Sequence, residues 1–403
     1  MSEPKTQTSP RWLNRTVIGI GLASLFSDWA HETATTVLPA FLASIGAAAA
    51  WLGAIEGTAD GLASFAKMAS GFYTDKLERR KPIAVIGYLV TALGTASFAF
   101  STAAWQILVS RSLAWFGRGV RTPVRKALLA AAVTKDTYGR AFGFERMMDT
   151  LGAIVGPASA WLLLALFAHN YRHVFLVTLI PGILAAALIA FLVKEKERKR
   201  VSHISFTGRL RVLPPPYRRF LIAVGLFGAG DFAPTLLILL ATQRLSPQYG
   251  ATTAASFAVA LYVLRNIFNA AFAPVAGWLA DHFNKKYVLA SGYALAAVMA
   301  LLIILAPLNL WTFGLIFTLS GIFIGVTETL EDSYCAELVG EEHHGTAFGV
   351  LATVNGVGDF LSSTIVGVLW SAFGTATAFS YSAVLFLVGT MLVLRANKVS
   401  PAK

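Results

Sequence analysis

Three ionisable residues stand within one helical turn of each other inside the first long apolar stretch of this 403-residue chain: Asp28, His31 and Glu32. At i, i+3 and i+4 they share one face of a helix. Two carboxylates and an imidazole in an apolar wall can share protons, the chemistry a proton-coupled carrier needs. They can equally pair with cations on neighbouring helices and never titrate. Cations of the right kind are present. Arg111, Arg118 and Arg125 recur every seven residues in a later apolar stretch, with Arg121 on the same side. One helix would then carry a stripe of guanidinium forks suited to carboxylate or phosphate. A third stretch is acidic, with Glu328, Glu331 and Asp332 at i, i+3 and i+4. Glu56, Asp60, Lys67, Arg146, Asp149, Asp231, Arg265, Asn266, Asn269 and Asp359 also fall within apolar runs. Lys67 lies about two turns from Asp60, and its stem is long enough to reach back towards it. A charge at the bilayer centre costs about 2.5–3.5 kcal/mol on insertion scales, so each of these residues is a functional candidate.

Such side chains need a scaffold that holds them in hydrocarbon. The chain is 56% apolar and only 13% charged, with a mean hydropathy of +0.64, which places it among polytopic membrane proteins. Twelve apolar runs are long enough to cross a bilayer as helices. The net charge of +12 invites a nucleic-acid reading, but the cations gather in alternate connections, with only Arg172 and Arg244 in the opposite set. That asymmetry predicts a multi-pass protein of the plasma membrane (the inner membrane in a prokaryote) with both termini cytoplasmic. The one long connection, 194–219, carries nine Lys or Arg and Pro214-Pro215-Pro216. It reads as a basic cytoplasmic linker between two six-helix units, 1–193 and 220–403, with a regulatory or lipid-binding role as the alternative.

Other chemistries find little footing. The single cysteine, Cys335, excludes an internal disulfide and a cysteine-cluster metal site. His343-His344 reads as a solvated pair in a cytoplasmic turn rather than a metal site. Gly19-x-Gly21 lies inside the first run and follows no strand, so no dinucleotide fold is implied. No Walker loop and no nucleophile–base constellation appears, so neither a cofactor nor an enzymatic activity is expected. Asn14-Arg-Thr16 is cytoplasmic by the charge rule and is not read as a glycan site.

The chain also repeats itself. Residues 71–81 read GFYTDKLERRK and 277–286 read GWLADHFNKK, each between two apolar runs. Gly71, Asp75 and Arg79 match Gly277, Asp281 and Lys285 at an offset of 206 residues, and the same offset relates Gly119, Gly139, Gly143 and Gly152 to Gly325, Gly345, Gly349 and Gly358. Two similar halves in tandem is a transporter pattern. In each copy the Gly permits close helix approach, the Asp can cap or pair at a helix end, and the cations hold the turn at an anionic surface. Gly71-x3-Asp75-Lys76-x2-Arg79-Arg80, with its echo at Gly277-x3-Asp281, resembles the loop 2–3 and loop 8–9 signature of the major facilitator superfamily, although Glu78 stands where that family usually has Gly.

The resemblance covers the whole chain. It implies an all-α fold of twelve transmembrane helices in two pseudo-symmetric six-helix bundles around a central cavity. It further implies secondary active transport of a small molecule, with protons as the expected coupling ion. By the family's pseudo-symmetry the fourth and tenth helices both border the cavity. Arg125 and Lys126 align with Glu331 and Asp332, so Arg121, Arg125, Glu328, Glu331 and Asp332 could form a gate that closes by ion pairs across the cavity. The alternatives are neutralisation of each set within its own half, for instance Arg118 by Asp28 or Glu32, and direct contact of the Arg stripe with an anionic substrate. Gly152-x3-Gly156-Pro157 on the fifth helix resembles the motif of the superfamily's antiporters and favours export, with Ala158-Ser159 replacing its following Gly pair. Asp28, His31, Glu32, Asp60, Arg118, Asp149 and Asp231 are the expected proton-coupling and cavity residues. Uptake or exchange of an organic anion is the second reading, and a non-transporting membrane sensor or a lipid translocase the third. The sequence names neither substrate, direction nor oligomeric state.

Overall fold

A computed structural model of the protein describes residues 11–168, 170–195 and 213–395. Among these there is no strand. Hydrocarbon offers no hydrogen-bond partner to a peptide group, so each apolar run closes its own backbone bonds as a helix. The first half comprises α1 (Arg15–Ser44), α2 (Ala49–Thr74), α3 (Lys81–Ala96), α4 (Ala104–Ala131), α5 (Tyr138–Leu166), α6 (Tyr171–Val177) and α7 (Leu179–Leu192). The second comprises α8 (Pro215–Gly228), α9 (Pro234–Tyr249), α10 (Ala251–His282), α11 (Lys285–Leu305), α12 (Leu310–Leu338), α13 (His344–Phe373) and α14 (Thr375–Arg395). The pairs α6–α7 and α8–α9 each make one interrupted crossing, so the fourteen α-helices among the described residues give twelve spans. Most of the expected linker lies outside the described residues.

Local sequence sets the helix ends. The side-chain oxygens of Asn14, Asn170, Asn284 and Asn309 accept backbone N–H groups at the starts of α1, α6, α11 and α12. Asn14 is thus a helix cap. Glu195 caps α3 from a distance, accepting from the nitrogens of Arg80 (2.6 Å) and Lys81 (2.9 Å) and fixing the start of the linker to the bundle. Gly250 (φ +79°) and Gly374 (φ +86°) turn the chain between α9 and α10 and between α13 and α14, a conformation that disfavours any Cβ.

The seventh crossing breaks at Ala229-Gly230-Asp231-Phe232-Ala233, just before Pro234, which has no N–H to continue the helix. Neighbouring side chains complete the freed backbone. Tyr381 donates to the Ala229 carbonyl (3.0 Å), Ser362 donates to the Asp231 carbonyl, and the Ala233 nitrogen donates to Ser363 (3.1 Å).

Two bundles result. In the first, α1 packs on α5 and α7, α2 on α4, and α3 on α4 and α7; in the second, α10 packs on α9 and α12, α11 on α12 and α14, and α8 on α13 and α14. Large apolar side chains such as Trp105, Trp161, Phe191, Leu305 and Trp311 stand outward, as a lipid-facing surface requires. Eight helical segments are long and apolar enough to cross a membrane by length and composition alone. The three continuous helices that miss that test, α1, α2 and α4, are those with Asp28 and Glu32, with Glu56, Asp60 and Lys67, and with the arginine stripe. Their low apolarity marks the interior lining.

The glycines of α5 fit it against α1. A methyl group added at Gly152 would fall on the Leu25 carbonyl and within 3.0 Å of the Trp29 nitrogen, and one at Gly156 on Glu32. Ser159, in place of the antiporter motif's glycine, accepts the Trp29 indole N–H (2.8 Å). Gly152→Ala is therefore expected to destabilise the protein by about 1–3 kcal/mol, read as a fall in the unfolding midpoint in detergent. An unchanged midpoint would show that α1 and α5 separate freely.

Candidate functional site

The bundles meet through α5 with α10 and α12, and through α2 and α4 with α13. At the end where α2 joins α3, Gly71 lies against Gly345 and Gly349, and Gly139 against Gly277, too close for any Cβ to fit. The Asp75 carboxylate accepts from the nitrogens of Gly345 (2.9 Å) and Thr346 (2.7 Å) at the start of α13. Asp281 accepts from Gly139 (2.7 Å) and Arg140 (3.0 Å) at the start of α5. Shifting the first set of partners by 206 residues gives the second, so the sequence repeat returns as a pair of equivalent contacts. Each Asp also pairs with a cation, Asp75 with Arg80 of its own bundle and Asp281 with the side chain of Arg140 across the interface (2.8 Å). Lys285, expected at an anionic surface, is instead buried and paired with Glu337 on α12 (2.6 Å).

Above this seal the charged side chains converge. On α1, Asp28 pairs with Arg118 (3.2 Å), as one of the sequence alternatives had it. Glu32 keeps a third of its side chain exposed and lies 3.7 Å from the His31 Nε2. Trp115 gathers the neighbouring groups: its ring lies 4.3 Å from His31, the Arg111 guanidinium rests on its face at 3.6 Å, and its indole N–H donates to Asp60 (2.7 Å). Asp60 thus finds Trp115 rather than Lys67. Arg111 forks onto both oxygens of Glu56 (2.9 Å each).

The gate residues divide differently from the expectation. Arg125 forms no ion pair with Glu331, although both border the same cavity. It pairs with Glu145 (2.9 Å) and Asp149 (3.5 Å) on α5 of its own bundle, and donates to Ser24 (2.6 Å). Glu331 accepts from Tyr293 (2.7 Å) and Asn355 (2.8 Å), both in its own bundle. Among the described residues two ion pairs besides Arg140 with Asp281 cross between bundles: Lys126 with Asp332 (2.6 Å), and Arg146 with Glu328, while Arg146 also reaches Asp149 (3.3 Å). The aligned pair one residue along from Arg125 and Glu331 is therefore the one that meets. Residue 125 points into its bundle, and residue 126, about 100° further round the helix, points out of it.

Arg121 is 2% exposed, stacked on Tyr88 at 4.0 Å, and its Nε and Nη1 have no hydrogen-bond partner. It lines a cavity of about 180 Å³ together with Lys67, Arg118 and Arg146 from the first bundle and Glu331 and Asn355 from the second. Through Arg146 and Glu328 this cavity adjoins another of about 290 Å³ with Asp231, Arg265 and Asp359 at its wall. Asp231 reaches it from the break in the seventh crossing.

Sequence reasoning missed Glu145, Trp115 and Tyr293. Glu145 was accessible, since it stands four residues before Asp149 on the same helical face. His344, expected in solvent, is 1% exposed, with its Nε2 3.1 Å from the carbonyl oxygens of Ala336 and Val339. It packs under the end of α12 while its neighbour stays at the surface. Among the described residues no group of three His, Cys, Asp or Glu is placed to hold a metal.

Known proteins resemble this chain in sequence and in fold. The chain is 28% identical to an MFS-type transporter of Methanocaldococcus jannaschii over 97% of both chains. It is 23% identical to the multidrug resistance protein MdtH of Escherichia coli, over 84% of this chain and 79% of that one. Among solved structures it superposes on the transporter FucP in its outward conformation with a TM-score of 0.75, at 16% identity, covering 96% of this chain and all of that one. A bacterial homologue of ferroportin in an outward-facing state gives 0.77 at 13% identity, covering 94% and 99%. The family model of the Major Facilitator Superfamily matches residues 20–242 and again 220–403. Repeated loop contacts, interrupted crossings and a charged cavity between two bundles thus have one common source: the chain belongs to the major facilitator superfamily of membrane transporters.

Proposed function

We propose that this transporter exports a small molecule in exchange for protons by alternating access, with the sealed, basic end facing the cytoplasm and the segment 194–219 tethering the bundles 1–193 and 220–403. One observation carries the reading. Asp149 sits between Arg125 and Arg146, and Arg146 is at the same time the partner of Glu328 across the bundle interface. A proton on Asp149 removes its hold on Arg146, and the change is felt directly at a contact between the two bundles. Asp28 and Glu32 lie one step further along, through Arg118, and give the proton a path from the cavity. Direction rests on two supports: the Gly152-x3-Gly156-Pro157 packing against α1, and the similarity to a protein named for multidrug resistance. The cation placement in the sequence supports cytoplasmic termini for this multi-pass protein, in a plasma membrane or the inner membrane of a prokaryote.

The test uses purified protein in liposomes containing a pH dye, with pools of metabolites and antibiotics added from either side. A substrate-dependent proton flux of opposite sign to substrate movement is expected. Asp149→Asn should reduce proton-driven accumulation at least about tenfold while leaving counterflow exchange within about threefold, because the amide holds one charge state. Loss of both activities in a folded variant would assign Asp149 to structure or substrate binding instead.

A further inference from the structure

We propose that the substrate is a zwitterion, with its anionic group on Arg121 and Lys67 of the first bundle and its cationic group on Asp231 and Asp359 of the second; the inference rests on reading this cavity as the transport site. Interior charges already matched by ion pairs fall out of the argument: Arg111, Arg118, Arg125, Lys126 and Arg146 each have a carboxylate within 4 Å. What remains along the two cavities is cationic on the first bundle and mainly acidic on the second. On the first bundle's side of the cavity, neither Arg121 nor Lys67 forms an ion pair within 4 Å among the described residues, although Asp359 is near enough for its charge to act on Lys67. Arginine cannot shed its proton, so a guanidinium 2% exposed with two orphaned donor atoms calls for an anion. The face of Tyr88 meets that need only in part.

On the other side the surplus is negative. Asp231 and Asp359 share the adjoining cavity with Glu328, which is held by Arg146, and with Arg265. Arg265 offsets this surplus only in part: its charge acts on Asp231, but it donates to Ser320 (3.0 Å) and Asn266 (3.2 Å) and forms no ion pair within 4 Å among the described residues. A third compartment, of about 70 Å³, is lined by Asp231, Glu328, Glu331 and Asn355 and so shares wall residues with both the cationic and the acidic cavity. A molecule bearing one charge would satisfy one wall and leave the other uncompensated. A molecule bearing both, several ångströms apart, satisfies both at once.

The probes are ω-amino acids from glycine to 6-aminohexanoate, each with its amide (cation only) and its N-acetyl derivative (anion only). Binding to the full-length protein in detergent is read by thermal shift and by isothermal titration at fixed pH. One or more of the amino acids is expected to bind at least about tenfold more tightly than both of its singly charged counterparts, as a second charge-assisted contact requires. Arg121→Gln should reduce that ligand to the affinity of its amide, and Asp231→Asn to that of its N-acetyl form. The wild-type comparison stands by itself if a variant does not fold. Equal or tighter binding of an anion-only or cation-only probe, or no binding along the whole series, overturns the proposal. No proton gradient enters the measurement, so a failure of proton coupling leaves it intact, and a proton-coupled carrier that ignores zwitterions would fail here alone.

Discussion

Exchanging the charges of Lys126 and Asp332 is expected to restore transport that either reversal alone abolishes, and the same exchange at Arg125 and Glu331 is expected to fail. Lys126→Asp alone sets two carboxylates where an ion pair of 2.6 Å stood, and Asp332→Lys alone sets two cations there. Breaking a buried pair in this way costs about 3–5 kcal/mol, enough to shift a two-state equilibrium by a factor of about 10²–10⁴. The double variant rebuilds the pair with its direction reversed, and the contact spans the two bundles, so the sealed state returns. Arg125 offers no such rescue. Its partners are Glu145, Asp149 and Ser24, so Arg125→Glu faces two carboxylates whatever stands at 331. Glu331→Arg in turn loses the hydrogen bonds from Tyr293 and Asn355. The readout is the distance between spin labels at Thr134 and His282, which flank the contact of α5 with α10, after the lone buried cysteine Cys335 is replaced by serine. Rescue at Arg125 and Glu331 would place the gate one residue from where the two bundles meet in this structure.

That one-residue difference shows where the sequence stops being legible. An offset of 206 aligns both Arg125 with Glu331 and Lys126 with Asp332, because a repeat fixes equivalence and leaves rotation undetermined. Which of two neighbours faces out depends on about 100° of helix rotation, set by packing against α2 and α3 that no single segment encodes. The loop copies were legible for a converse reason. Their glycines and aspartates act on backbone, and a backbone contact tolerates one residue type, so the pattern survives in both halves. Glu145 was hidden by the more obvious Arg146 and Asp149 beside it. His344 looked like surface because His343 beside it is, although one step of the helix carries it under α12. Asp60 and Lys67 share a helical face, but a stem long enough to reach is no match for an indole N–H on the adjacent helix at 2.7 Å.

Neutralising both loop aspartates should open the sealed end, and neutralising one should open it only in part. The carboxylates of Asp75 and Asp281 each accept two backbone N–H groups at the start of a helix in the opposite bundle, where the helix dipole favours negative charge. An amide keeps one acceptor oxygen and loses the charge, so Asp75→Asn or Asp281→Asn forfeits about 1.5–3 kcal/mol of charge-assisted bonding, a factor of about 10–10² in the equilibrium. The two sites share no partner, so the losses add and the double variant shifts the equilibrium by about 10²–10⁴. The labels at Thr134 and His282 would then report mainly the longer distance, and the single variants a mixture. A double variant no more open than either single one would mean that the glycine contacts hold the seal by themselves. Gly277→Ala separates these causes. Its methyl group would fall on the Gly139 carbonyl and force the helices apart with both aspartates in place. If charge on the helix ends is the latch, that wedge opens the seal less than the double Asp→Asn variant, because each carboxylate can follow its N–H partners through a small displacement while an amide has already lost the attraction that draws them back.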